Sequence, residues 1–240
     1  MEQNFTCLDW DSDFFGFRVA RIMLTDANKD QLAETLDMLR QEKFRLAYWF
    51  LPDSQQASLI AKANGGILAD EKVTYLKELS TIEGKSASPI YSAVPFTGAE
   101  SDDALADLAL QSGEYSRFRL DPLFPRDKFE KLYRCWITRS VNKDIAWEVL
   151  VVKERDVLLG LVTLGTKGDR GDIGLLAVSE QARGKGIGRT LVLDADRAFA
   201  YRGLAVAQVV TQRCNLGACK LYESCGYRIE KIEKIFHFWL

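Results

Sequence analysis

The residues from Arg183 to Thr190, RGKGIGRT, set glycines at 184, 186 and 188 among the cations Arg183, Lys185 and Arg189. Before them runs an apolar stretch, Leu175 to Val178, which breaks at the polar triplet Ser179-Glu180-Gln181. After them Ile187, Leu191, Ala195, Ala198 and Phe199 recur at helical spacing. The order is strand, glycine-rich turn, helix. Glycine lets backbone approach a ligand closely, the first N–H groups of a helix lack partners within it, and the helix dipole adds roughly half a positive charge there. A pyrophosphate suits such a cradle.

Spacing separates the possible phosphate ligands. A dinucleotide-binding turn needs a further glycine where Arg189 stands, and it opens the first strand-helix unit of its domain. A P-loop ending at Gly188 needs a glycine at 183 and a lysine at 189, and arginines occupy both positions. What is left is Gln181-x-x-Gly184-x-Gly186.

This pattern resembles the acetyl-CoA signature Q/R-x-x-G-x-G/A of the GNAT superfamily of N-acetyltransferases. Asn215 and Tyr222 fall where that family opens a later helix with Asn and carries a Tyr on it. The resemblance implies an α/β GNAT fold, with a central mixed, splayed β-sheet flanked by helices, and acetyl-CoA as co-substrate. By this resemblance the backbone of Leu176, Ala177 and Val178 meets the pantetheine arm and the thioester oxygen. Arg183, Gly184, Lys185, Gly186, Gly188, Arg189 and Thr190 hold the pyrophosphate, with Asn215 also at the donor. Tyr222, two turns beyond Asn215 on one face with Ala218 and Cys219, becomes the general acid for the leaving thiolate. His237 and Glu148 are weaker candidates for a base, and Cys214, Cys219 and Cys225 read as packing residues because no His accompanies them.

A narrower group, the dTDP-fucosamine N-acetyltransferases, is similar at Leu8-x-Trp10-Asp11-Ser12-x-Phe14-Phe15-Gly16, Ser116-Arg117-Phe118, Asp121-Pro122 and Tyr133-x-x-Trp136. It implies a nucleotide-sugar acceptor, a 4-amino-4,6-dideoxyhexose on dTDP. Tyr115, Arg117, Phe118 and Asp121 then become candidate substrate residues, an arginine for phosphate and an aromatic for a ring. Two alternatives stay open: a GNAT enzyme for another small amine or a protein N-terminus, and a non-catalytic acyl-CoA-binding module.

The elements around these residues fall into an N-terminal α/β domain over 1–88, acceptor-side or structural, and an acetyltransferase domain over 89–240. In the first, Phe14–Leu24 reads as a strand, Asp26 or Asn28 caps a helix with Leu32, Leu36 and Leu39 inward, and Leu46–Leu51 is a buried strand. A helix from Pro52–Ser54 to Asn64-Gly65-Gly66 and a strand Val73–Leu79 complete it. Thr81–Pro89, small and polar, reads as a linker. Helices follow from a Ser101 cap to Gln111 and over Asp127–Lys143, separated by a loop from Ser112 to Pro125. Strands Trp147–Val152 and Val157–Leu164 make a hairpin, Gly165–Gly171 a tight connection, Leu204–Val210 a strand buried on both faces, and Tyr227–Leu240 the last strand.

Composition narrows the classes further. A net charge of −2, from 32 basic and 34 acidic residues, gives no electrostatic case for nucleic acid or an anionic membrane surface, so anion binding must be local. Five cysteines without C-x-x-C spacing and a single histidine point to neither a zinc site nor a disulfide framework, and a cytoplasmic setting without metal is expected. No apolar run is long enough to cross a membrane. Oligomeric state stays open, a homodimer included.

Overall fold

The structure is a computed structural model that describes residues 4–25, 29–79, 90–98 and 102–240. In chain order its elements are β1 (Phe5–Cys7), α1 (Asp9–Phe15), β2 (Val19–Ile22), α2 (Lys29–Gln41), β3 (Leu46–Pro52), α3 (Gln55–Ala63) and β4 (Ile67–Glu78). Then come β5 (Val94–Pro95), α4 (Asp102–Ser112), α5 (Arg117–Leu120), α6 (Arg126–Val141), β6 (Glu148–Glu154), β7 (Val157–Lys167) and β8 (Arg170–Val178). A 3-10 turn at Glu180–Ala182 leads to α7 (Ile187–Tyr201), β9 (Val206–Gln212), α8 (Leu216–Ser224) and β10 (Arg228–Trp239). The chain groups into two compact units, one of Met1–Lys72, Leu120–Phe124 and Ile232–Leu240, the other of Val73–Arg119 and Pro125–Lys231.

In the first unit β2 pairs in parallel with β3 and antiparallel with β1, and β10 pairs antiparallel with β3 from Glu233↔Pro52 to Trp239↔Leu46. Period-2 alternation sends Ala20, Ile22, Ala47, Trp49, Leu51, Phe236 and Phe238 to one face. There they meet Leu32, Leu36 and Leu39 of α2 and Ala57 and Ala61 of α3 in one core. Ser54 caps α3 by accepting from the Ala57 N–H.

The opposite face carries Tyr48 and His237, ring centroids 4.8 Å apart, and the aromatic group Phe15, Phe17, Phe124 and Trp239. At its centre Asp121 is buried, and its Oδ2 accepts from His237 Nδ1 at 2.6 Å and Trp239 Nε1 at 2.9 Å, while Oδ1 accepts from the Leu123 N–H at 2.9 Å. Burial pushes the Asp121 pKa up, but the donors from His237, Leu123 and Trp239 outweigh it and hold the carboxyl below its ordinary value.

In the second unit the strand order is β4, β9, β8, β7, β6, β5. β5 to β8 pair antiparallel and β8 with β9 parallel. Helices α4 and α7 both lie against β7 and β8, and α6 against α4 and β6.

The opening stretch differs from the strand expected over Phe14–Leu24. Asp9–Phe15 is a helix with Asp9 and Asp11 in its first turn, ended at Gly16, and only Val19–Ile22 is strand. The Ser12 hydroxyl donates to the Leu8 carbonyl and accepts from the Val19 N–H, a local tie that favours the turn over an extended run. The tight connection expected over Gly165–Gly171 is shorter than that: β7 and β8 continue into it, pairing to Lys167↔Arg170. Between Ser112 and Pro125, α5 adds one short helical turn to the expected loop. The Asp26 or Asn28 cap, the Ser101 cap and the Thr81–Pro89 linker lie outside the described residues.

Replacing the Asp121 carboxylate leaves buried donors unmatched, a cost of about 1–3 kcal/mol. Asp121→Asn is therefore expected to lower unfolding free energy by about 2 kcal/mol at pH 7 in urea titrations. Because the folded pKa is depressed, that contribution is complete above the unfolded value of about 3.9 and is lost as pH falls through the folded one. The gap between wild type and variant should close in acid.

Candidate functional site

The site grows from an irregularity in β8. Opposite β7 its register runs Val162↔Leu176 and then Leu164↔Ile173, so Gly174 and Leu175 face the single residue Thr163. The Leu175 N–H donates to Thr163 Oγ1 at 2.8 Å in place of a strand carbonyl. Such a bulge bends its strand and increases its twist. On the other side β8 pairs with β9 only over Gly171↔Ala207 to Ile173↔Val209. From Gly174 onward β8 is splayed from β9, while Leu176, Ala177 and Val178 stay paired to β7. Their other edge is free of β9, where an extended amide-bearing arm can lie as an added strand.

Beyond Val178 the chain turns through Glu180–Ala182, held by Glu180 N–H to Gln111 Oε1 at 3.2 Å. Gly184 and Gly186 take φ of 80° and 83°, the left-handed region that disfavours any side chain. Gly186 is the N-cap of α7 and brings no side-chain cap, so the first N–H groups of α7 point outward without one. The first turn of α7 contains no acid. Gly188 has a different duty: a Cβ there would lie 3.1 Å from Leu221 of α8.

The three cations are placed unequally. Arg183 lies at the rim, with Nε donating to the Val178 carbonyl at 3.4 Å and a 3.7 Å ion pair to Glu114. Arg189 donates to the Ser224 carbonyl at 2.8 Å and so binds α7 to the end of α8. Lys185 is exposed and forms no ion pair among the described residues. The Thr190 side chain is buried, its hydroxyl directed at the Gly186 carbonyl. Uncapped amides, left-handed glycines and cations together fit the pyrophosphate of a CoA thioester.

Asn215 caps α8 by accepting from the Ala218 N–H at 3.1 Å, as its spacing predicts. Seven residues on, Tyr222 is 4% exposed. Burial, with Cys225 and Cys219 adding to it, pushes its phenol pKa well above the ordinary value, so it stays protonated and can only give a proton near neutrality. Cys225 is buried and its thiol pKa raised by that burial, and Cys219 donates to the Gln212 carbonyl at 3.6 Å. Neither has the surroundings of a nucleophile.

The acceptor-side residues are dispersed. Tyr115 is exposed, and Arg117 lies 4.4 Å from the Phe118 ring centroid. Phe118, also expected at the substrate, is buried beside Trp136. Asp121, the fourth expected substrate residue, belongs to the first unit, where its oxygens serve the His237 and Trp239 donors. Thr163, Gln111 and Asp196 shape the site without any sequence signal, since a polar residue in a strand or helix does not announce its partner. Among the described residues no group of three or more His, Cys, Asp or Glu could hold a metal, and no helix is long and apolar enough to cross a membrane.

The model of the acetyltransferase (GNAT) family matches residues 114–227, which span β8, the cradle and Tyr222. The uncharacterized N-acetyltransferase YvbK of Bacillus subtilis (strain 168) is 32% identical over 114 residues, 45% of this chain and 74% of that protein. The chain belongs to the GNAT acetyltransferase family. This GNAT chain is also 26% identical over 137 residues to the spore coat polysaccharide biosynthesis protein SpsD of the same organism. That match covers 57% of the chain and 47% of SpsD, so the chain spans about half the length of that relative. In fold it resembles a GCN5-related N-acetyltransferase from Sphaerobacter thermophilus, with a TM-score of 0.67 at 13% identity, over 98% of this chain and 75% of that one.

An alanine in the left-handed region costs about 1–2 kcal/mol and carries a methyl group toward the anion. Gly186→Ala is expected to weaken acetyl-CoA binding about tenfold or more in calorimetric titration, each factor of ten being about 1.4 kcal/mol. Gly188→Ala, which meets a flexible leucine tip, should weaken it less.

Proposed function

We propose that the protein transfers an acetyl group from acetyl-CoA to the amine of a nucleotide-linked amino sugar, a 4-amino-4,6-dideoxyhexose on dTDP. The observation that carries the transfer is the open edge of β8 leading directly into the uncapped start of α7, with buried, protonated Tyr222 on α8. The sugar acceptor draws on the sequence resemblance to dTDP-fucosamine N-acetyltransferases and on the similarity to SpsD, a spore coat polysaccharide biosynthesis protein. In this reading residues 89–240 carry the chemistry and 1–88 serve the acceptor side or support it. In the proposed acceptor loop Tyr115 is exposed and Arg117 half-buried.

Each chain group has one task. Amides of Leu176 to Val178 orient the pantetheine arm and donate to the thioester oxygen as it gains charge. The cradle from Arg183 to Arg189 fixes the far end of the donor. The neutral amine attacks the carbonyl carbon, a C–N bond forms, and the C–S bond breaks. The Tyr222 hydroxyl gives its proton to the departing sulfur, and the proton lost by nitrogen passes to water.

General acids of this kind contribute about 10²–10⁴-fold. Tyr222→Phe is expected to lower kcat about 100-fold or more while changing acetyl-CoA affinity less than about twofold; unchanged turnover removes the assignment. Free-thiol release should be strongest with dTDP-4-amino-4,6-dideoxygalactose in a panel with other amino sugars, spermidine and an N-terminal peptide. Activity on the peptide alone overturns the sugar reading, and acetyl-CoA binding with turnover of none favours a non-catalytic module.

A further inference from the structure

The Tyr222 ring packs near two other tyrosines. Its centroid is 5.9 Å from that of Tyr75 on β4 and 6.0 Å from that of Tyr227, just before β10. Both flanking hydroxyls are tied to carboxylates. Tyr75 donates to Glu223 Oε1 at 2.9 Å, and Tyr227 donates to Asp196 Oδ1 at 2.7 Å. Asp196, on α7 and 1% exposed, receives Lys77 Nζ on its other oxygen at 2.6 Å. Lys77 also lies 5.6 Å from the centroid of the Tyr227 ring. The Tyr227 N–H donates back to the Tyr222 carbonyl at 3.1 Å, which closes the end of α8 and fixes Tyr227 against that turn. The Tyr222 hydroxyl, by contrast, has no hydrogen-bond partner among the described residues.

We propose that Tyr75 and Tyr227, held by Glu223 and by the Asp196–Lys77 pair, are positioning residues that clamp the Tyr222 ring and aim its free hydroxyl. The inference rests on the reading of Tyr222 as general acid. A buried carboxylate and a lysine from separate elements are costly to bring together, and here they orient a tyrosine that packs on the reacting one. Free rotation of a flanking ring would let Tyr222 shift, and misplacement of a reacting group by about 1 Å costs up to about 100-fold in rate. Asp196 raises the cost of losing the clamp further, because its acid is pushed toward the neutral form by burial and drawn back by Lys77 and Tyr227.

Tyr75→Phe and Tyr227→Phe each remove one hydroxyl of the clamp, held by a different carboxylate, so one remains informative if the other fails to fold. Turnover is read with the best amine of the panel above, or by acetyl-CoA hydrolysis with water as acceptor. Each variant should lose about tenfold in kcat with the acetyl-CoA dissociation constant changed less than about twofold. Combined with Tyr222→Phe, neither should lower the rate further, because the residue they position is already silent. In the free protein, ring flipping of Tyr222, followed by NMR of 13C-labelled tyrosine and assigned by comparison with Tyr222→Phe, should quicken at least tenfold in both variants. Multiplicative loss in the double variants, or unchanged flipping, overturns the clamp while leaving Tyr222 as the acid. Full turnover by Tyr222→Phe overturns both.

Discussion

The site depends on the parting of two parallel strands. β8 and β9 share a register for only three residue pairs, ending at Ile173↔Val209, because Gly174 and Leu175 bulge against Thr163 and turn the rest of β8 away. A parallel pair carried to the end would have satisfied every amide of Leu176 to Val178 and left nothing for a ligand. The unpaired edge is a cost to the fold, offset by the firm β7 pairing on the other side and regained when a ligand supplies the missing acceptors.

In the proposed reaction, helix α7 relates the two ends of the donor. Its N-terminus forms the cradle, Gly188 lets Leu221 of α8 approach, Arg189 holds the carbonyl of Ser224, and Asp196 receives Tyr227. Cradle and phenol are thus spaced by one rigid element and not by loops, the arrangement that would preserve geometry at the proposed reacting centre. Asp196, buried and with a raised pKa, is an unusual residue to keep in such a helix, and its place in this spacing gives it a reason.

Much of this was legible in the chain because backbone requirements are written in residue types. Left-handed turns select Gly184 and Gly186, and an uncovered helix start selects Asn215. The order of strands and helices after Val94 follows from apolar periodicity. What could not be read belongs to partners distant in sequence. Nothing local tells Thr163 that it will face a bulge, or Asp121 that His237 and Trp239 will surround it. Phe14, Phe15 and Phe17 suggest an extended run, yet Ser12 and the first-turn acids fold the preceding residues into α1. Surface arginine-aromatic segments carry the least information: Tyr115 to Asp121 reads as one recognition loop, and packing divides it among exposed, core and ion-paired roles.

In the proposed complex, acetyl-CoA completes the open edge of β8 and rests its pyrophosphate on the start of α7. Amide hydrogen exchange with and without saturating acetyl-CoA tests it most directly. Slowed exchange is expected at Leu176 to Val178 and at Gly184 to Arg189, with little change at Trp49 or Phe236 in the other unit's core. Binding that leaves both segments unprotected would contradict it.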